Sequence, residues 1–103
     1  MLAWALLPCL VAAAHAAPPP ILTLRDHRFT PDHLVIPAGK RVRLLIASEE
    51  PTAGEFAAPS LGAEKMLRPG GMIGVYVGPL APGRYRFYDA LHPATARGTI
   101  EAR

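Results

Sequence analysis

Cysteine is nearly absent from this sequence of 103 residues: the single one, Cys9, lies in an apolar amino-terminal run. If that run is removed on export, no disulfide, thiolate metal site or cysteine nucleophile is possible. Charge of one sign is scarce as well. Eleven basic residues stand against eight acidic ones, with no block longer than Lys40-Arg41. Such a surface is mildly basic and lacks the stripe a nucleic-acid binder needs. The chain has no Gly-rich phosphate loop, no His-Glu-x-x-His segment and no Ser-His-Asp order with supporting context. Nucleotide-handling and hydrolytic chemistry therefore have no motif here, and Gly70-Gly71 is simply a turn. A convincing helical period is also missing, which leaves strands.

The apolar run from Leu2 to Ala14 is shorter than the ~20 residues of a membrane span and has the length of a signal-peptide core. Ala14-His15-Ala16 offers small residues at the two positions a signal peptidase reads, so residues 1–16 are expected to be a signal peptide cleaved before Ala17. The amino end carries no Lys or Arg, only the terminal amine. Pro8 directly before Cys9 argues against lipidation. The expected location is the periplasm, where nucleic acid is not a partner. Ala17-Pro18-Pro19-Pro20 reads as a flexible leader, and residues 21–103 as one domain near the lower size limit for folding without staples.

Within 21–103 the chain falls into strand-sized runs cut by Pro and Gly. Ile21-Leu22-Thr23-Leu24 is a first strand. His33-Leu34-Val35-Ile36 and Val42-Arg43-Leu44-Leu45-Ile46, joined through Pro37-Ala38-Gly39-Lys40, read as a β-hairpin. Met72 to Val77 alternates, with Ile73, Val75 and Val77 on one side. Tyr85 and Phe87 share a face opposite Arg84, Arg86 and Tyr88, and Gly98-Thr99-Ile100-Glu101 closes the sheet. Seven or eight short strands at such spacing predict an all-β Greek-key sandwich. Pro82-Gly83-Arg84-Tyr85 has the layout of a tyrosine corner, a structural feature.

Three blocks resemble the cupredoxins, the plastocyanin-like family of small copper proteins. Phe29-Thr30-Pro31 with Leu34-Val35-Ile36-Pro37-Ala38-Gly39 is similar to the family's opening. Pro82-Gly83-Arg84-Tyr85-Arg86-Phe87-Tyr88 is similar to the strand leading into the copper cysteine, and Arg97-Gly98-Thr99-Ile100 to the exit from the ligand loop. More narrowly, Asp26-His27-Arg28-Phe29, Glu55-Phe56, Glu64-Lys65, Gly78-Pro79-Leu80 and the stretch from Leu91 to Gly98 resemble the exported bacterial EfeO-type cupredoxin-like domains. That resemblance implies periplasmic handling of iron or copper.

The departures decide the chemistry. A blue-copper centre takes His, Cys and His in a trigonal set with a weak axial Met. By the resemblance, Glu55 stands where the first His would arrive, Asp89 replaces the Cys, and Ala96 or Arg97 occupies the Met position; His92 alone survives. Without the thiolate, blue-copper electron transfer is not expected. The resemblance also places His27 at the end where the metal loops gather. His27, Glu55, Asp89 and His92 are thus candidate ligands, with Glu64 a further one, in a set suited to Cu(II), iron or Zn(II). Each has a plainer alternative. His92 can order a loop, His27 can be exposed, and Glu55 can pair with a basic residue. Asp89 can accept backbone N–H groups, as short carboxylates do in turns. Met66 and Met72 are more simply filler, His33 a turn residue, and Arg25, Arg28 and Arg97 a solvated surface.

The expected function is that of an exported metal-binding protein for Cu(II) or iron, accessory to uptake and without enzymatic turnover. Ferroxidase-like activity would need an electron acceptor the chain does not supply. The alternative is a sandwich without metal that docks on a periplasmic or inner-membrane iron or copper transport component. A monomer or weak dimer fits both.

Overall fold

The computed structural model describes residues 18–103; the expected signal peptide and its cleavage site lie outside the described residues. Among the described residues nine strands form two sheets: β1 Ile21–Arg25, β2 Arg28–Thr30, β3 His33–Ile36, β4 Val42–Ser48, β5 Gly54–Ala58, β6 Ala63–Leu67, β7 Met72–Val77, β8 Gly83–Asp89 and β9 Arg97–Ala102. One sheet runs β2-β1-β4-β7 and the other β3-β9-β8-β5-β6. A 3₁₀ turn, Pro59–Leu61, links β5 to β6. The all-β sandwich expected from the strand spacing is what the chain forms.

Two local readings need correction. The count is nine strands because Asp26 and His27 turn β1 straight back as the three-residue β2, and because Ala63–Leu67, whose middle three residues are exposed, offers little alternation to read. The proposed hairpin of β3 with β4 does not form. β3 pairs in parallel with β9, and β4 pairs with β1 and β7. The 37–41 connection carries the chain from one sheet to the other, so a turn signature between two apolar runs marks a crossover here.

The core follows from the alternation. Leu22 and Leu24 of β1, Leu44 and Ile46 of β4, and Val75 and Val77 of β7 point inward from one sheet; Ile36, Phe56, Phe87 and Ile100 answer from the other. Phe29, Phe56 and Phe87 form an edge-on and tilted cluster with centroids 5.2–6.3 Å apart. Burying each such ring contributes about 1.5–3 kcal/mol, and edge-on packing adds about 0.5–1.5 kcal/mol per pair. The Phe87 ring lies over Gly98, its partner on β9. A Cβ on Gly98 would collide with that ring and with the Asp32 carbonyl, so this glycine is a packing requirement. The Tyr85 hydroxyl donates to the Ala81 carbonyl at 2.7 Å, closing the tyrosine corner.

Strand directions gather the functional loops. Because β1 and β4 are parallel, their carboxyl ends sit together. The turn after β1, the 49–53 connection after β4, the start of β5 and the 90–96 loop between β8 and β9 all meet at this tip.

Candidate metal centre

His27 reaches the tip on a two-residue hairpin turn in which Asp26 and His27 both have positive φ, 51° and 55°. This is the type I′ geometry, which favours Asn-Gly because its twist suits paired strands. Histidine tolerates the left-handed region better than most residues, at a cost on the order of 1–3 kcal/mol. Glu50 offsets part of that cost. Its carboxylate accepts the His27 backbone N–H, and the same oxygen lies 3.3 Å from His27 Nδ1. The side chain of Glu50 is only 7% exposed, and its own N–H donates to Ser48 Oγ at 3.1 Å.

His92 arrives from the other sheet. Asp89, the last residue of β8, is 1% exposed. Its Oδ1 accepts the backbone N–H groups of Glu55 at 2.9 Å and Leu91 at 3.0 Å. Its Oδ2 lies 3.3 Å from His92 Nδ1. Asp89 N–H donates in turn to the Ala96 carbonyl at 2.8 Å, and the His92 carbonyl accepts from Ala96 N–H at 3.0 Å. The loop is therefore a closed turn with a buried carboxylate at its hub. Gly54 makes room for it: a Cβ there would lie 3.3 Å from Asp89 Oδ2.

The two imidazoles meet face to face, with centroids 3.8 Å apart and planes inclined by 18°. The result is a row of carboxylate, imidazole, imidazole, carboxylate running from Glu50 to Asp89. A carboxylate has only acceptors to offer, so in a neutral His92 ring the proton sits on Nδ1 and the lone pair on Nε2; the Glu50 oxygen stands at ion-pair distance from Nδ1 of His27. Neither Nε2 has a protein partner among the described residues, and the side chains are 46% and 36% exposed. Carboxylates behind Nδ1 that orient imidazoles and raise their basicity are the usual support of metal-ligating histidines.

The sequence candidates thus divide. His27, His92 and Asp89 come together, though Asp89 spends both oxygens inside the protein, as its plainer alternative has it. Glu55 and Glu64 do not join them. Alternation along β5 turns Phe56 inward and Glu55 outward, where a shallow pocket of about 280 Å³ holds Glu55, Glu64 and Tyr88. A hydrogen bond with Glu64, then desolvation, then the charges of Glu64 and Asp89 push Glu55 above the ordinary carboxylate value of 4.5. Among the described residues no three His, Cys, Asp or Glu side chains are arranged to hold an ion. With centroids 3.8 Å apart and planes inclined by 18°, the two ring planes intersect only about 12 Å away, whereas an imidazole holds a metal at ~2 Å in its own plane. Both rings can serve one ion only after the stack opens.

Glu50 was missed in the sequence. Its signal was there: Leu44, Ile46, Ser48 and Glu50 are all buried, so the inward alternation of β4 runs two residues past its end. Glu49, between them, faces out beside Arg25 at 3.8 Å.

A blue-copper donor set does not fit. The residue at the thiolate position is the buried Asp89, and neither residue at the thioether position supplies a sulfur: Ala96 is fully buried with its carbonyl committed to Asp89, and Arg97 is an exposed cation. The fold is nonetheless that of copper proteins. The structure superposes on amicyanin from Paracoccus versutus with a TM-score of 0.66 at 16% identity, covering 89% of this chain and 88% of that one. Auracyanin A, a "blue" copper protein from Chloroflexus aurantiacus, gives 0.70 at 11% identity over 81% of this chain and 96% of that one. The metal-binding domain of the Cu(I)-exporting P-type ATPase CopA of Streptococcus pneumoniae D39, with Cu(I), gives 0.69 at 13% identity over 81% and 82%. In sequence, an uncharacterised protein of Rickettsia prowazekii (strain Madrid E) is 34% identical over 79 residues, which is 77% of this chain and 63% of that protein. The chain thus spans less than two thirds of this relative's length. The family model for the cupredoxin-like domain matches residues 1–102, and the chain belongs to that family.

Proposed function

We propose that this protein is an exported cupredoxin-like metal carrier that takes Cu(II), or iron, at the tip through Nε2 of His92 with His27 beside it, and that it serves metal uptake as the EfeO-type domains do. One observation carries the reading: two imidazoles from opposite sheets are each backed at Nδ1 by a carboxylate, and both Nε2 atoms are left without a protein partner. Nitrogen and oxygen donors of this kind suit borderline and hard ions. Asp89 and Glu50 act from behind the rings. Glu55 and Glu64 remain candidates for a separate contact on the outer face. A periplasmic or inner-membrane transport component is the natural recipient of the cargo.

The test is titration of the purified protein with Cu(II), followed by calorimetry and electron paramagnetic resonance. Saturable binding near one equivalent is expected, with nitrogen hyperfine structure and a melting temperature that rises with metal by mass action. His92→Ala should weaken binding at least ~tenfold. No melting shift with Cu(II), Fe(II) or Zn(II) overturns the proposal. It would instead favour the second reading, a docking module that works without metal, for which the closed stack and the lack of a three-donor set among the described residues speak.

A further inference from the structure

The outer face of the larger sheet carries a groove that the metal reading does not use. In register across β3, β9 and β8, His33, Thr99 and Arg86 form one row. In the adjacent row Arg97 stands opposite Tyr88. These five side chains line an open groove of about 650 Å³, with Asp32 and Pro93 among its walls. Every member of the two rows offers a hydrogen-bond donor, and two of them are permanently charged.

Among the described residues no carboxylate lies within 4.0 Å of Arg86 or Arg97. Glu101, the nearest acid along β9, is engaged with His33 at 3.2 Å. Arg86 and Arg97 are diagonal neighbours across an antiparallel pair, a separation of about 7–8 Å. Like charges at this spacing repel one another weakly across solvent, and a bound anion would reverse the sign of that interaction. Two planar guanidinium forks at that spacing, with hydroxyls between them, match a small ligand carrying two or more anionic oxygen groups.

We infer that this groove binds a small multivalent oxyanion, a di- or tricarboxylate or inorganic phosphate, held by Arg86 and Arg97 with Thr99 between them. His33 forms the far side of the groove, and its pairing with Glu101 keeps that acid away from the ligand. Asp32 is the one opposing charge on the wall. Pro93 belongs to the loop that carries His92, so an anion seated here lies against the tip's own loop. The inference stands whether or not the tip binds metal.

The test is a ¹⁵N-resolved NMR titration of the chelator-treated protein with citrate, malonate and phosphate at low ionic strength. Saturable shifts are expected on the amides of His33, Arg86, Arg97, Gly98 and Thr99. The Arg86→Gln/Arg97→Gln variant should lose at least ~tenfold in affinity, and Asp32→Asn should gain. Arg43→Gln, which removes charge from the other sheet, should bind as the wild type does. Citrate and malonate binding without phosphate assigns a polycarboxylate site; comparable binding of phosphate assigns a general oxyanion site. Shifts that do not saturate, that scatter over the surface, or that weaken equally in Arg43→Gln overturn the inference. All substituted residues are exposed, and a melting curve confirms the fold of each variant.

Discussion

Asp89→Asn separates the structural work of the buried carboxylate from its effect on His92. In the wild type, Oδ1 takes two backbone N–H groups and Oδ2 faces His92 Nδ1. Truncation to Ala would orphan these donors, each at about 1–3 kcal/mol. The two backbone donors together would remove about 2–6 kcal/mol from a domain whose total stability is about 5–15 kcal/mol. Asn is gentler. Its amide oxygen can keep both backbone donors, and replacing charged acceptors by neutral ones costs about 1–2 kcal/mol, or about 4–8 °C in melting temperature per kcal/mol. The amide nitrogen then faces Nδ1, where two donors cannot meet. His92 must move its proton to Nε2 so that Nδ1 can accept. The atom proposed to bind metal thereby becomes a donor, and affinity for Cu(II) should fall about 10–100-fold, as when other supports behind metal-ligating histidines are lost. Urea denaturation measures the first effect, calorimetry against a competing chelator the second, and ¹⁵N chemical shifts of the imidazole the tautomer. An Asp89→Asn protein that keeps the Nδ1–H tautomer and wild-type Cu(II) affinity would refute the role given to the carboxylate.

The outer carboxylate pair gives a pH dependence with a definite sign. Glu55 has a folded pKa above its ordinary 4.5 because of Glu64 first of all, so the folded state holds more protons than the unfolded chain just above that value. Its contribution is complete below 4.5 and is lost as pH rises through the raised value; Glu64→Gln should flatten that loss in urea titrations run at several pH values, and an unchanged profile would remove the pairing. Gly98→Ala should destabilise by about 3 kcal/mol or more, the overpacking of a full core, because neither the Phe87 ring nor the Asp32 carbonyl can yield. A melting curve shifted by less than a degree would contradict that packing.

The sequence showed the sandwich through alternation, and the strands that alternate cleanly, β1, β4, β7 and β8, were legible to within one or two residues at their ends. Pairing was less so. His33–Ile36 and Val42–Ile46 look like hairpin arms, because the sequence shows a turn's chemistry but not which sheet the chain enters afterwards. At the tip, His27 and His92 were found through family resemblance. Their stacking was not, since it depends on a positive φ at His27 that arises from the short return of β2. Glu55 was misplaced by one step of the strand period. A residue next to the core-facing Phe56 must face out, and that rule outweighs its nearness in sequence to the loops.

The tip is held by two kinds of contact of different strength. Glu50 secures His27 within one sheet and Asp89 secures His92 within the other, through contacts to charged acceptors that are worth about 1.5–3 kcal/mol each. The ring stack bridges the two sheets between them, and an aromatic pair contributes only about 0.5–1.5 kcal/mol. A perturbation at the tip therefore separates the rings before it frees either ring from its carboxylate. Rotation of one imidazole leaves its Nδ1 partner in place only if the carboxylate follows, which the committed oxygens of Asp89 do not allow. Glu50, two residues past β4, meets His27 through one oxygen alone, whereas Asp89 is pinned by two backbone donors on the oxygen that does not face His92, so the His27 side of the stack has the fewer fixed contacts.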